Sequence, residues 1–316
     1  MSSWSMAAGR SIDGLLKTVA LKGPGKRDKA NMQRREFLIT SAMALGSAAR
    51  PLGWMQPPQS KTDRLAIMVY SFQRVLKLPA RPSSPERTLE VFDVPEMFAD
   101  RYKVHNVEMQ HNYFESTEAS FFKDFLARLA KTRSRVSNIN LELGNMNIAA
   151  PDPALRAQAI DLTRAWIDHA VLLGSPRVMI NQGKLTQENK AAAIEALTHM
   201  TAYGQTKKIM VGAEPRGDDF TLLTEVIRAG GAYTNPDVGN FGGDQAHQHD
   251  GIRAMFPYTG GNCHMKMLNP ATYDLAAAIA LIKSLGYTGL YSIENEQQGD
   301  PYENVQKVYD LVLANI

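Results

Sequence analysis

The sequence predicts an α/β protein with the fold of a (β/α)8 TIM barrel, in a single domain that covers residues 63–316. Short apolar runs alternate with helix-like runs through this whole region, which is the pattern of successive βαβ units. Eight such apolar runs can be counted, and no change in composition marks a second domain. The region is also close to the roughly 250 residues that one such barrel needs.

The eight predicted strands are apolar runs that end at polar or glycine-containing segments. They cover residues 65–72, 104–110, 137–144, 177–183, 208–214, 232–240, 261–268 and 289–296. The predicted helices show apolar residues at helical spacing, and they cover residues 95–102, 120–132, 153–173, 187–204, 219–229, 275–285 and 302–314. Asp152 and Gly174 are typical first and last residues for the longest helix. An open doubly wound sheet is the alternative, but residues 71–74 lack the glycines of a dinucleotide site.

Residues 1–62 are predicted to be an N-terminal extension with an export signal and a linker. Within residues 32–49, Arg34 and Arg35 precede a weakly apolar stretch that ends in small residues, which resembles a twin-arginine signal. The apolar part is too short for a stable membrane span. We therefore expect a periplasmic or otherwise exported protein. A basic amphipathic helix is the alternative, and either Met1 or Met32 is the true start.

Composition restricts the partners and the chemistry. The formal net charge is +3 and the isoelectric point is about 8.8, but many of the basic residues lie in the first 50 positions. The barrel region is therefore close to neutral, and no basic patch indicates nucleic acid as a partner. The single cysteine, Cys263, excludes an internal disulfide and a cysteine-rich zinc site, so we expect it to pack in the core. The expected partner is a small molecule, and a homo-oligomer is left open.

Four predicted strand ends carry side chains that can bind a metal ion. They are Glu214, Asp237, His264 and either Glu294 or Glu296, which share one strand face. Intervals of 23, 27 and 30 residues separate positions 214, 237, 264 and 294, as expected for consecutive barrel strands that end around one pocket. Carboxylates with one imidazole suit Mn²⁺, Mg²⁺, Co²⁺ or Zn²⁺. Taken singly, each residue could instead be a rim, turn or core residue.

Further polar residues near these strand ends are candidates for contact with a substrate. Glu108 and His111 end the second strand, and a simple rim pair is the alternative for them. Arg216 could bind an anionic or carbonyl group, or a neighbouring carboxylate. Lys266 shares a strand face with His264, which places it in the same pocket. A further histidine-containing segment, residues 242–251, is expected to be a loop.

Several segments resemble the xylose isomerase-like barrels, a family that includes sugar isomerases and epimerases, inosose dehydratase and endonuclease IV. They are GAEPRG (212–217), NPDVGNF (235–241), GIRAMFPYTGGNCHMKM (251–267) and, most specifically, IKSLGYTGLYSIENE (282–296). The resemblance implies Glu214, Asp237, His264 and Glu294 as metal ligands. It also implies that Glu214 and Glu294 are the catalytic proton-transfer groups. Many family members have histidine where this chain has Asn240, which we expect to contact the substrate. The three-zinc chemistry of endonuclease IV needs more histidines than this chain offers.

The function that this resemblance implies is a metal-dependent sugar isomerase or epimerase that removes a proton next to a carbonyl group. The alternatives are a lyase or dehydratase that acts on a 3-keto-glycoside or an inosose, and a non-catalytic carbohydrate-binding barrel. Export favours an unphosphorylated sugar or keto-sugar, because phosphorylated sugars are largely cytoplasmic.

Overall fold

Eight parallel β-strands, each followed by an α-helix, form the described part of the chain. This computed structural model describes residues 60–78, 81–217, 219–267 and 273–316. The strands are β1 Leu65–Met68, β2 Asn106–Gln110, β3 Arg135–Leu141, β4 Arg177–Ile180, β5 Met210–Ala213, β6 Tyr233–Thr234, β7 Asn262–Met265 and β8 Leu290–Ile293. The predicted (β/α)8 barrel is therefore confirmed.

The helices lie between the strands in strict alternation. They are α1 Val94–Tyr102, α2 Ala119–Lys131, α3 Pro153–Leu173, α4 Lys190–Lys207, α5 Phe220–Ala229, α6 Gln245–Met255, α7 Leu275–Ser284 and α8 Pro301–Asn315. Five of them begin at an aspartate whose carboxylate accepts a backbone N–H of the first turn, including the predicted cap at Asp152. None of the described helices is long and apolar enough to cross a membrane.

The sheet runs in the order β6-β5-β4-β3-β2-β1-β8-β7, so that sequence neighbours pair and β1 also pairs with β8. The barrel closes between β6 and β7, where the backbone connection is sparse. Two isolated bridges, Thr234 with Thr259 and Asp237 with His264, join these strands. The backbone N–H of His264 donates to the carbonyl of Pro236 at 2.9 Å, which fixes the register there. The barrel therefore closes at Asp237 and His264, two of the residues predicted to bind metal.

The inner face of the barrel is polar, whereas the outer face packs apolar side chains against the helices. Glu108 on β2 contacts Asn138 on β3, and it also contacts Asn262 and His264 on β7. Because β7 is separated from β2 by β8 and β1 in the sheet, these contacts cross the barrel interior. Cys263, on the opposite face of β7, is buried in the apolar core, as predicted.

The predicted and observed elements differ most at the first strand, the sixth strand and residues 242–251. The predicted first strand is too long, because residues Val69–Phe72 form a 3-10 helix. The predicted sixth strand shrinks to two residues, since Pro236 has no N–H to donate and Asp237 Oδ1 instead accepts the N–H of Gly239 at 2.8 Å. The prediction of a loop at residues 242–251 was wrong, because most of these residues belong to α6, which begins after the capping residue Asp244. The proposed export signal at residues 32–49 lies outside the described residues.

Candidate metal centre

The four residues expected to bind a metal ion meet at the carboxyl-terminal end of the barrel. Glu214 follows β5, Asp237 follows β6, His264 lies in β7 and Glu294 follows β8. All four are at most 4% exposed, and one ligand atom from each lies within 4.8 Å of all the others. Strand ends far apart in sequence therefore bring three carboxylates and one imidazole together in a single buried cluster.

His264 lies at the centre of this cluster, with its Nδ1 atom facing the three carboxylates. The distances from Nδ1 are 2.7 Å to Glu214 Oε1, 3.2 Å to Glu294 Oε2 and 3.9 Å to Asp237 Oδ2. The other ring nitrogen, Nε2, lies 2.7 Å from Glu108 Oε1 on the opposite side. The ring thus separates the cluster from the polar interior of the barrel.

Lys266 supplies a second positive charge beside the cluster. Its Nζ atom lies 2.8 Å from Asp237 Oδ2, 3.3 Å from Glu294 Oε2 and 3.0 Å from Glu296 Oε1. Burial alone would lower the pKa of Lys266, but the carboxylates, Asp237 above all, outweigh it and raise that pKa. Lys266 is therefore a permanent counter-ion at this position, in the pocket where the sequence placed it.

The carboxyl groups differ in their protonation. Burial favours the neutral form of Asp237, yet Lys266 and His264 outweigh it and hold the pKa of Asp237 well below its usual range. For Glu294 burial prevails: it raises the pKa to about 7, although Lys266 and His264 lower it in part. Of these two acids, Asp237 is a fixed anion, whereas Glu294 can hold a proton near neutral pH.

The donor set fits a divalent cation. Asp237 Oδ2 and Glu294 Oε2 are buried and both contact the ammonium of Lys266, so these two oxygens already lie where positive charge is stabilised. Three carboxylates and one imidazole are a ligand set for Mg²⁺, Mn²⁺, Co²⁺ or Zn²⁺ and do not select among them. Glu294 rather than Glu296 belongs to the cluster, because the Glu296 side chain is 52% exposed and contacts Lys266 at 3.0 Å.

A cavity of about 260 Å³ opens directly above the cluster. The residues that line it come from the ends of seven of the eight described strands: Met68, Tyr70, Gln110, Glu142, Glu214, Arg216, Asn240, Lys266, Glu294 and Glu296. The predicted substrate contacts Arg216, Asn240 and Lys266 are among them. Arg216 donates to Glu142 at 2.8 Å and to Glu214 at 3.3 Å, so it contacts neighbouring carboxylates, one of the two roles that the sequence allowed.

The other two predicted substrate contacts do not line the cavity. Glu108 is fully buried beneath the cluster, where it contacts His264. His111 accepts the backbone N–H of Glu142 at 3.1 Å and packs edge-on against Trp166. Sequence reasoning missed Met68, Tyr70 and Gln110 as lining residues. Their positions at the ends of β1 and β2 were the only available signal.

Binding of a cation is expected to be pH-dependent. Burial lowers the pKa of His264, but the carboxylates of Glu108 and Glu214 outweigh it and hold that pKa well above its usual value. The Nδ1 atom facing the ligands therefore carries a proton, which the cation must displace. Affinity for Mn²⁺ should consequently rise with pH, by up to about tenfold per pH unit for each proton released.

Titration calorimetry with Mn²⁺ in two buffers of different ionisation enthalpy would count these protons. The variant His264→Gln, which has no ring proton to displace, is the control and should show a weaker pH dependence. Equal Mn²⁺ affinity at about pH 6 and about pH 8 in the unmodified protein would contradict the expectation.

The chain was compared with known protein families, sequences and structures. No family model and no curated protein matches the sequence. Among solved structures, a xylose isomerase-like TIM barrel protein from Mycobacterium smegmatis in complex with magnesium has a TM-score of 0.61 at 15% identity, covering 82% of this chain and 99% of that one. D-Psicose 3-epimerase from Clostridium cellulolyticum H10, solved with D-tagatose, has a TM-score of 0.61 at 10% identity, with coverage of 80% and 95%.

D-Allulose 3-epimerase from Methylomonas sp. in complex with D-allulose has a TM-score of 0.61 at 14% identity, covering 80% of this chain and 98% of that one. At these identities the likeness establishes the shared fold. In each case the match covers nearly the whole of the other chain, so the barrels correspond over their full length.

Proposed function

We propose that this chain is a metal-dependent sugar isomerase or epimerase that moves a proton at a carbon next to a carbonyl group. The observation that carries the proposal is the pairing of Glu214 and Glu294. These two carboxylates come from different strand ends, belong to one cation-binding cluster and both line the same polar cavity. A proton donor and a proton acceptor can therefore reach one substrate bound between them.

In this proposal Glu214, Asp237, His264 and Glu294 hold the cation. When bound, a divalent ion supplies positive charge that stabilises negative charge developing on the substrate's oxygen atoms. Asp237, the fixed anion, and His264 act as ligands and do not line the cavity. Glu214 and Glu294 line it, which leaves them free to act on the substrate as well.

The proton-transfer roles follow from exposure and charge. Glu294, whose pKa burial raises to about 7, is suited to give up or take a proton near neutral pH. Glu214 is held on one side by Arg216 Nε at 3.3 Å and on the other by His264 Nδ1 at 2.7 Å. Both contacts place a hydrogen-bond donor or positive charge against the carboxylate and hold it at the cavity wall, where we assign it the role of general base.

The remaining lining residues are suited to a small polyhydroxylated molecule. Gln110, Asn240 and Tyr70 offer donors and acceptors, and Lys266 and Arg216 offer positive charge to oxygen atoms. The cavity has a volume of about 260 Å³. This is slightly below the range of roughly 300–1,000 Å³ that is common for small-molecule sites. This size favours a single sugar unit. Neighbours of the same fold, solved with D-tagatose and D-allulose, support a free ketose.

We also propose that the protein is exported, which favours an unphosphorylated substrate. The support is the Arg34-Arg35 segment of the sequence.

Exchange with solvent deuterium tests the proposed chemistry. The Mn²⁺-loaded protein is incubated in D₂O with a panel of ketoses and keto-glycosides, and proton NMR follows each substrate. We expect deuterium at a carbon next to the carbonyl group, together with the epimer or isomer, and neither product after treatment with a chelator. Elimination products instead would favour a lyase. Sugar binding without exchange in the loaded protein would favour a non-catalytic barrel.

A further inference from the structure

A buried carboxylate lies directly behind the metal-binding histidine. Glu108, on β2, is fully buried, and its Oε1 atom lies 2.7 Å from Nε2 of His264. The opposite ring nitrogen, Nδ1, faces the three carboxylates of the cluster. Glu108 is outside both the cluster and the cavity lining, so neither cation binding nor substrate contact accounts for it.

Amide side chains fix the Glu108 carboxylate in place. Asn138 Nδ2 donates to Oε1 at 2.9 Å, and Asn262 Nδ2 donates to Oε2 at 3.1 Å. Asn138 is in turn bonded to Asn140, and Asn262 to Asn235. An amide nitrogen can only donate, so both Glu108 oxygens are held as acceptors. The remaining contact of Oε1 is with Nε2 of His264 at 2.7 Å. The Asn235 amide nitrogen lies farther from Nε2, at 3.3 Å, so the shorter contact places the Nε2 hydrogen toward Glu108.

We propose that Glu108 is a positioning residue that fixes the tautomer and the orientation of His264 for cation binding. With Nε2–H donating to Glu108, the lone pair of neutral His264 lies on Nδ1 and points at the cluster. Carboxylates placed in this way behind a ligating imidazole raise its basicity and lock its orientation. The inference rests on the cation site of the proposed function and adds a residue that never touches the ion or the sugar.

The test compares Glu108→Gln with the unmodified full-length chain. Glutamine has nearly the same shape but no charge, and its amide NH₂ must face one of the amide donors of Asn138 and Asn262. We expect Mn²⁺ affinity, measured by competition with a chromophoric chelator, to fall about 10- to 100-fold. The variant Asn106→Ser is the matched control. Asn106 lies on the same strand, and its side-chain amide donates to the backbone carbonyl oxygens of Asp63 and Leu65. Its loss should lower thermal stability but change affinity by less than about threefold.

A second readout reports the tautomer itself. In the Zn²⁺-loaded chain labelled with ¹⁵N-histidine, long-range ¹H–¹⁵N spectra distinguish a protonated Nε2 from a protonated Nδ1, and His264→Gln assigns the signal among the seven histidines. The unmodified chain should show Nε2–H at His264, and Glu108→Gln should show a mixed or altered state. If Glu108→Gln does not fold, Asn138→Ala, which removes one of the two clamping amides, should show a smaller shift in the same direction.

Unchanged affinity together with an unchanged tautomer in these variants would overturn the role of Glu108. A chain that binds one cation but processes no sugar would contradict the proposed function alone. A chain that binds no cation at all would overturn both.

Discussion

Replacing Glu294 or Glu214 with glutamine is expected to lower the rate of proton exchange on a sugar substrate by about 10²- to 10⁴-fold. Each glutamine keeps an oxygen atom that can coordinate a cation, but it can no longer accept a proton. Because the two carboxylates belong to one cluster and both line the cavity, each is expected to serve one side of the same carbon. Loss of either should therefore block transfer in both directions.

The measurement is single-turnover deuterium exchange at saturating Mn²⁺, with the bound metal quantified in every variant so that lost chemistry is separated from lost metal. Glu142→Gln is the matched control. Glu142 lines the same cavity, accepts a hydrogen bond from Arg216 at 2.8 Å and lies outside the cation cluster. Its replacement should weaken substrate binding far more than exchange. A Glu294→Gln chain that holds its metal and still exchanges at the normal rate would remove Glu294 from its assigned role.

The second large effect is expected for Asp237→Asn. Asparagine can keep the turn, because its side-chain oxygen can still accept the N–H of Gly239, as Asp237 Oδ1 does at 2.8 Å. The other oxygen lies 2.8 Å from the ammonium of Lys266. In Asp237→Asn it becomes an NH₂ group, whose hydrogen atoms would point at the ammonium or at a bound metal ion. Removing one partner of a buried ion pair typically costs about 3–5 kcal/mol. We therefore expect Mn²⁺ affinity to fall at least about 100-fold.

Calorimetric titration with Mn²⁺ measures this loss, and Glu296→Gln is its control. Glu296 also pairs with Lys266, at 3.0 Å, but its side chain is half exposed and outside the cluster. Solvent screens such a pair, so affinity in Glu296→Gln should change little. Equal losses in the two variants would mean that Lys266, rather than coordination by Asp237, controls cation binding.

The sequence predicted where strands occur better than where they end. The outer face of each strand packs against the helices, so each strand contains a short apolar run. These runs located all eight strands in the sequence. The ends depend on which backbone groups find partners. Val69–Phe72 continues the apolar run but leaves the sheet as a 3-10 helix. The residues 242–251 look polar and loop-like, yet the carboxylate of Asp244 caps a helix there.

The same limit applies to the site. Periodicity placed Glu294 and Glu296 on one face and could not separate them. The family resemblance implied Glu294, and in the structure the strand β8 ends at Ile293, so that Glu294 is buried whereas Glu296 is exposed. Glu108 was predicted to contact the substrate, with a rim position as the alternative, because it lies near the end of a predicted strand. Its contact with His264 crosses the barrel over 156 positions of sequence, a relation that no local pattern encodes.

A bound cation would also affect the stability of the barrel where it closes between β6 and β7. Asp237 follows β6 and His264 lies in β7, and two isolated bridges connect the backbone between these strands. A cation that both side chains coordinate would cross-link these strands, and it would stabilise the closed barrel by about 2.7 kcal/mol at a concentration 100 times its dissociation constant. Local opening between β6 and β7 would then require release of the ion, so slow hydrogen exchange at this joint would report occupancy of the site.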